Sequence, residues 1–428
     1  MEPAIPNVCV VGMGYIGLPT AAILAATGST VVGVDVNPHH VREINAGRVP
    51  FVEPDLESVV AGVVAQGRLR AQAEVPHAAA YIVAVPTPFT EDYSVDPSYV
   101  RAASEAIAPQ LRGGELIILE STSPPGLTEQ MADFILAARP DLTAEGGQQH
   151  SLYFAHCPER VLPGRIMVEI TDNDRIIGGV TPEAAERARE LYATFCKGDL
   201  LVTDARTAEM AKLAENSYRD INIAYANELS MISERLDIDV WELIALANHH
   251  PRVNILQPGP GVGGHCIAVD PWFIVSAAPE EAKLIRLARE VNDAKPGYVL
   301  EKVMAQAARF RDPVIAALGI AFKADIDDLR ESPSKLIVER LGREVPHARI
   351  LVAEPHIETL PESLASLGSV ELLDTEAAIA AADIVLVLVD HSAFKNLDRD
   401  LFREKIMVDT KGLFRTAQAA ESRASALR

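Results

Sequence analysis

Val8-Cys-Val-Val-Gly12-Met-Gly14-Tyr-Ile-Gly17-Leu-Pro-Thr20 is a short apolar run that turns through three glycines into a helix-forming stretch. The helical pattern continues through Thr27, and Thr30–Val34 is a second apolar strand ending at Asp35. Strand, glycine turn, helix and strand make a βαβ unit. In that setting G-x-G-x-x-G has a mechanical meaning. The first glycine makes the tight turn, the second lets backbone approach a pyrophosphate, and the third allows close helix–strand packing beneath a helix N-terminus that attracts anions. An acidic residue at the end of the second strand hydrogen-bonds ribose hydroxyls and repels a 2′-phosphate. Gly12, Gly14, Gly17 and Asp35 are therefore predicted to hold NAD rather than NADP.

Working outward, further strands are expected at Tyr81–Val85, Leu116–Glu120, Leu152–Ala155 and Arg175–Gly178, separated by helical segments, as in a doubly wound parallel sheet. Val85-Pro-Thr87-Pro88 and Glu120-Ser-Thr122 fall just beyond two of these strands, where such sheets bind ligands. The Thr87 and Thr122 hydroxyls are within reach of a cofactor there; taken singly, each would more often be a turn or cap residue. Ala205 to about Leu236 is free of Gly and Pro, long for a globular helix, and reads as a spine linking two domains; a second helical stretch runs from Glu280 to Phe310. Strand–helix alternation then restarts at Pro313–Leu318, Arg349–Val352, Ile384–Val389 and Ile406–Val408. The expected fold is α/β, with two doubly wound, Rossmann-like parallel-sheet domains joined by a long central helix and a helical middle domain. The expected boundaries are 1–204 for the cofactor domain, 205–311 for the helical domain and 312–428 for the C-terminal domain.

The chain has 428 residues, with 39 Lys plus Arg against 60 Asp plus Glu, a formal charge of −21. This disfavours general affinity for nucleic acid or anionic membrane, so an anionic ligand needs a local basic pocket. Cys9, Cys157, Cys196 and Cys266 lie far apart and read as reduced thiols rather than a disulfide framework or zinc ribbon. The first residues show no basic segment followed by an apolar one, and no apolar run approaches the ~20 residues of a membrane span, which makes the cytoplasm the expected compartment. His249, His250 and His265 have no carboxylate or second cysteine to complete a metal-ligand pattern, and no metal is expected.

Gln257-Pro-Gly-Pro-Gly-Val-Gly-Gly264-His265-Cys266-Ile-Ala-Val-Asp270-Pro271 sets one cysteine directly after a run of glycines that strips side chains from around it. A lone cysteine is more often a small buried hydrophobe, and Cys9, Cys157 and Cys196 are read that way. Cys266 differs because the loop opens its sulfur to a substrate. A thiol near its reference pKa of about 8.5 is only a few per cent thiolate at neutral pH, so such a nucleophile needs a nearby positive charge or base.

With these residues the chain resembles the UDP-glucose/GDP-mannose dehydrogenase family over nearly its whole length, and most closely the branch acting on UDP-N-acetyl-D-mannosamine. The carriers are His249-His-Pro-Arg-Val-Asn-Ile255 with the cysteine loop, Cys157-Pro-Glu-Arg-Val-Leu-Pro-Gly164, Lys212 to Arg219, Phe322-Lys323 with Asp327-Asp-Leu-Arg-Glu-Ser-Pro333, and Asp409-Thr-Lys-Gly412. The resemblance implies Cys266 as nucleophile and Lys212 as catalytic ammonium, with Asn216 and Asp270 close by. It assigns substrate contacts to Arg160, Val161, His250, Arg252, Gly263, Lys323 and Lys411, and cofactor contacts to Tyr15, Ile16, Asp35, Thr87, Thr122 and Arg330. Lys212, Asn216 and Arg219, at i, i+4 and i+7, share one helix face and join the substrate set; a solvated stripe is the bland alternative.

The implied reaction is a four-electron oxidation of the sugar's C6 alcohol by NAD to the uronate, through a thiohemiacetal and a thioester on Cys266, with Glu159 activating water. The implied assembly is a homodimer built on the spine helices, with Arg252 serving the neighbouring subunit. Alternatives are the same chemistry on UDP-N-acetylglucosamine, UDP-glucose or GDP-mannose, a one-step 3-hydroxyacid dehydrogenase, and a non-catalytic NAD-binding protein. Two positions depart from the family pattern. Pro38-His39-His40 precedes Arg42 where relatives place a basic residue soon after the ribose aspartate, and Ser-Pro-Pro-Gly-Leu follows Thr122 where relatives have threonine after the glycine.

Overall fold

The computed structural model describes residues 7–51, 53–90, 92–161, 164–264 and 267–414. The chain divides into two compact units, Met1–Glu215 with Phe273–Pro279, and Asn216–Trp272 with Glu280–Arg428. Cys266 and His265 lie outside the described residues.

The first unit is built on an eight-stranded sheet in the order β3-β2-β1-β4-β5-β6-β7-β8. Its strands are β1 (Asn7–Val11), β2 (Thr30–Val34), β3 (Leu69–Gln72), β4 (Ala80–Val83), β5 (Leu116–Leu119), β6 (Tyr153–His156), β7 (Arg175–Gly179) and β8 (Leu200–Asp204). Along β1, Val8 and Val10 enter one hydrophobic core while Cys9 and Val11 enter another on the opposite face. Burial on both faces is why the central strands read as unbroken apolar runs. The helix Gly17–Ala26 is apolar nearly all round and almost wholly buried, as a helix enclosed by its neighbours must be.

The second unit contains a five-stranded, all-parallel sheet in the order β11-β10-β9-β12-β13. Its strands are β9 (Val314–Leu318), β10 (Arg349–Ala353), β11 (Val370–Leu372), β12 (Ile384–Val387) and β13 (Ile406–Asp409). Val299, Leu300, Val303 and Ala307 of the helix Lys283–Ala307 pack into the same core as Ile315, Ile350 and Ile384. The helix Ala205–Arg235 runs 31 residues, one residue short of the sequence expectation. No helix among the described residues is long and apolar enough to cross a membrane.

The structure departs from the expected pattern at the margins. Three strands went unread, β3, β8 and β11, and each lies at a sheet edge. Edge strands lack a neighbour on one side and carry exposed positions, so the continuous apolar signal breaks; β8 is half exposed despite its leucines. The first sheet is also not fully parallel, because β7 runs antiparallel to β6, with Ala155 opposite Gly179 and His156 opposite Gly178. Between them the chain forms only the seven-residue helix Ile166–Asp172, and β7 then runs back alongside β6 in the opposite direction.

Candidate active site

The glycine corner is built as its spacing requires. Gly12 has φ +94°, its N–H donates to the Val34 carbonyl at 2.8 Å, and an added Cβ would lie 2.4 Å from the Ala84 carbonyl oxygen. A Cβ on Gly17 would lie 1.8 Å from the Gly12 carbonyl oxygen. Gly14 is different: nothing lies within 4 Å of where its Cβ would be, so the backbone there is open to the close approach of a pyrophosphate. The Asp35 carboxylate accepts from the N–H groups of Met13 (2.9 Å) and Asn37 (2.7 Å), which fixes it at the end of β2. His40 Nδ1 stands 3.3 Å from Asp35 Oδ2, so the departure at Pro38-His39-His40 still sets a nitrogen ring beside the ribose carboxylate. The residues present fit NAD.

Past the ends of β4 and β5, side-chain hydroxyls stitch two loops together. Thr87 Oγ1 donates to the Thr122 carbonyl at 2.7 Å, and Ser121 Oγ donates to the Val85 carbonyl at 2.6 Å. Thr87 and Thr122 are thus brought together by their own hydrogen bond. Ile16 occupies the N-cap of the glycine helix. Tyr15 donates to Glu53 at 2.9 Å, and Glu53 also accepts from the N–H groups of Gly164 and Ile166, both at 2.9 Å. Glu53, which sequence reasoning missed, therefore ties the glycine loop to the segment after Glu159. No pattern announces it; it is one acid in a chain rich in acids.

Glu159 is held firmly. Its Oε1 accepts from the Arg160 N–H at 2.7 Å and its Oε2 from Arg175 Nη2 at 2.9 Å. Arg160 spends its guanidinium on Glu215 at 2.7 Å, and Val161 packs against the main core. Lys212 lies on the 31-residue helix with Asn216 and Arg219, and its ammonium forms no hydrogen bond or ion pair with the described residues.

In the second unit the Asn216 amide donates to the Asp270 carboxylate, and Asp270 is the first residue of the helix Asp270–Ala277. The glycine loop before Cys266 is pressed against its surroundings. A Cβ on Gly263 would lie 2.5 Å from the Glu331 carbonyl oxygen and 2.9 Å from the Phe322 Cβ. Gly264, at φ +84°, lies under the Phe322 ring. Gly259 donates its N–H to Asn227 Oδ1 at 2.9 Å. Asn227 in turn binds Asn292, which binds Asp220, the partner of Arg289 at 2.6 Å. This buried polar chain fixes the near end of the loop. At its upstream end Asn248 exchanges two hydrogen bonds with the backbone of Ile255, pinning the turn that carries His250 and Arg252. His250 Nδ1 accepts from the Arg252 N–H at 3.3 Å, leaving the arginine side chain without a described partner.

Lys323 and Lys411 follow the carboxyl ends of β9 and β13, the ligand-binding edge of such a sheet. Lys411 pairs with Asp390 at 3.1 Å, and a Cβ on Gly259 would come within 3.8 Å of its Nζ. Lys323, Arg219 and Arg252 have no hydrogen-bond or ion-pair partner among the described side chains. In a chain of charge −21 such unpaired cations are what an anionic ligand needs. Arg330, expected at the cofactor, belongs to the second unit and pairs with Asp328 at 2.6 Å. Asp325, His356 and His391 bring ligand atoms within 4.8 Å of one another. His391 has both ring nitrogens committed, accepting from the Asp325 N–H at 2.9 Å and facing Glu354 at 3.1 Å, so the cluster serves as a structural corner.

A dinucleotide corner on one sheet and a cation-bearing ligand edge on another define a nicotinamide-dependent dehydrogenase. Three family models of the UDP-glucose/GDP-mannose dehydrogenases match in order: the NAD binding domain at residues 6–196, the central domain at 206–294 and the UDP binding domain at 316–416. The chain is 56% identical over 416 residues to an NDP-N-acetyl-D-galactosaminuronic acid dehydrogenase of Ralstonia nicotianae, covering 97% of both. It is 53% identical over 419 residues to the UDP-N-acetyl-D-mannosamine dehydrogenase of Escherichia coli, covering 96% of this chain and 99% of that one. Among solved structures, the UDP-D-ManNAc dehydrogenase of Pyrococcus horikoshii superposes with a TM-score of 0.85 at 37% identity, covering 95% and 96% of the two chains. The chain belongs to the UDP-glucose/GDP-mannose dehydrogenase family. It is an NAD-dependent oxidoreductase of nucleotide sugars, which sets aside the hydroxyacid dehydrogenase and the non-catalytic NAD-binding protein.

Proposed function

We propose that this enzyme oxidises C6 of UDP-N-acetyl-D-mannosamine to the carboxylate of UDP-N-acetyl-D-mannosaminuronate, with Cys266 as covalent nucleophile. The observation that carries the reading is the loop around Cys266: Gly263 just before it admits no side chain, and Asp270 just after it in the chain is hydrogen-bonded by Asn216 of the long helix. When bound at Gly12, Gly14, Gly17 and Asp35, NAD supplies the hydride acceptor. Cys266 attacks the C6 aldehyde to form a C–S bond and keeps that reactive carbon from escaping. Lys212 and Asn216 stabilise the oxyanion that develops on the C6 oxygen. Glu159 takes a proton from the water that cleaves the thioester. Lys323, Lys411, Arg252 and Arg219 serve the diphosphate, and three of them having no carboxylate partner among the described residues supports that role.

A second reading changes only the sugar. The 56%-identical relative is a galactosaminuronic acid dehydrogenase, while the 53%-identical relative and the 37%-identical structure are mannosamine dehydrogenases, so the relatives divide between two epimers. A site that hydrogen-bonds a 2-acetamido group in one orientation leaves buried partners unpaired with the epimer, at about 1–3 kcal/mol per group. Purified UDP-N-acetyl-mannosamine, -glucosamine and -galactosamine, assayed with NAD, test both points together. The expected results are two NADH per sugar consumed and at least about tenfold higher kcat/KM for the manno sugar, one 1.4 kcal/mol step. One NADH with aldehyde accumulating sinks the thioester route; preference for another epimer reassigns the sugar alone.

The same proposal includes a cytoplasmic homodimer. Tyr218, Tyr225 and Ile232, spaced by seven residues along the 31-residue helix, expose 71%, 50% and 47% of their surfaces, an apolar seam suited to a second copy. Arg252 is read as acting in the neighbouring subunit. Mixing Arg252→Ala with Cys266→Ser subunits should restore part of the activity that each lacks; proven subunit exchange without recovery returns Arg252 to its own chain.

A further inference from the structure

Glu159 shares its guanidinium with a second carboxyl. Arg175, almost wholly buried, places Nη2 2.9 Å from Glu159 Oε2 and Nη1 3.9 Å from Glu120 Oε1. The antiparallel turn of β7 brings this about: the pairing of His156 with Gly178, carried three residues further, sets Glu159 opposite Arg175. A parallel β7 would begin at the opposite end of the strands, away from Glu159. Glu120, fully buried at the end of β5, accepts from Thr20 Oγ1 at 3.0 Å and from the Tyr192 hydroxyl at 3.2 Å. A glutamine could accept from one of these hydroxyls and donate to the other without placing an ionisable group in the core.

We propose that Glu120 is a positioning residue for the hydrolytic step, which through Arg175 sets how strongly Glu159 takes a proton from water. The proposal rests on Glu159 being the group that activates water. In that step the water oxygen bonds to the thioester carbonyl carbon, one water proton passes to Glu159, and the C–S bond breaks to return the Cys266 thiolate.

The groups facing Glu120 are Thr20 from the glycine helix, Tyr192 from the helix Pro182–Tyr192, Arg175 from β7, and Cys157 and Glu159 from the chain after β6. Burial pushes the Cys157 thiol up to about 12 and raises the Tyr192 phenol as well, so neither carries charge at neutral pH. That leaves one cation for two carboxyls. Burial, and then the charge of Glu159, push Glu120 up to about 8, against the pull of Arg175 and the two hydroxyls. Below that pH Glu120 is a neutral acid and Arg175 belongs to Glu159. Above it, the new negative charge competes for the guanidinium and loosens its hold on the Glu159 carboxylate. A carboxylate less tied to the cation is freer to take the water proton, so hydrolysis speeds up as Glu120 ionises.

The test follows the acyl-enzyme on Cys266 by intact-protein mass spectrometry in single turnovers, which separates its decay from the hydride steps. The wild type should show decay that accelerates through an inflection near pH 8. Glu120→Gln should lose the inflection and stay at the slow, low-pH rate, with NAD affinity and sugar KM within twofold of wild type. Thr20→Val removes a hydroxyl that favours ionised Glu120, so its inflection should move to higher pH; this variant carries the test if Glu120→Gln fails to fold. An unchanged inflection in either variant makes Glu120 a structural acid and overturns the proposal. A wild type that decays but shows no inflection does the same. No acyl-enzyme in the wild type overturns the Cys266 assignment, and this proposal with it.

Discussion

Cys266→Ser is expected to lower nucleotide-sugar turnover on the order of a thousandfold, about 4 kcal/mol on the barrier, while NAD affinity stays within twofold. A serine hydroxyl ionises far above neutral pH, so the few per cent of thiolate that a cysteine offers has no counterpart. The variant changes one atom at the end of a loop whose path is fixed elsewhere, by Asn227 on Gly259 and by Phe322 over Gly264. Steady-state NADH formation and calorimetric NAD titration on the same sample check the two halves. Turnover above about a tenth of wild type removes the covalent step. Loss of NAD binding as well would mean that the change reached the fold rather than the chemistry.

Gly17→Ala is expected to weaken NAD binding by more than a hundredfold, about 3 kcal/mol. The new methyl would lie 1.8 Å from the Gly12 carbonyl oxygen and 3.1 Å from its carbon. The Gly12 backbone is itself held in place, its N–H bound to the Val34 carbonyl at 2.8 Å. The helix must then lift off β1 and take its N-terminal amides with it. Gly14→Ala is the control. Its methyl meets nothing within 4 Å, so the melting temperature should hold while NAD binding still weakens, since the methyl occupies the face that the pyrophosphate approaches. Titration of both variants with NAD, beside thermal melts, decides the matter; wild-type affinity in Gly17→Ala would refute the steric argument.

The residues that could be read from sequence were those whose neighbours in the chain are also their neighbours in space. Gly12, Gly14 and Gly17 sit in one turn, and Asp35 ends the next strand, so spacing alone located the cofactor corner. Strands buried on both faces, such as Leu116–Leu119, announce themselves as apolar runs; the edge strand Leu69-Arg-Ala-Gln72 does not. Lys212 and Asn216 needed resemblance, because a lysine on a helix is ordinary, whereas Cys266 stood out by the run of glycines before it. Glu53, Glu120 and Arg175 were not legible at all as partners of site residues. Their partners lie far away in sequence, 111 residues separating Glu53 from Gly164 and 72 separating Glu120 from Tyr192, and were set by strand register rather than by any local pattern. Arg175 was read only as the start of a strand, and the reversed direction of that strand is what aims it at Glu159.

Trp241 lies flat against Gly412, whose added Cβ would sit 2.5 Å from the indole ring. Gly412 directly follows Lys411, a proposed diphosphate ligand. The indole also lines a cavity of about 160 Å³ together with Pro258 and Gly259 of the cysteine loop. The chain has only two tryptophans, and the other, Trp272, is buried in the helix Asp270–Ala277. The protein therefore carries its own optical probe: in a Trp272→Phe background, intrinsic fluorescence reads the one indole that touches the Lys411 turn, with no dye and no turnover.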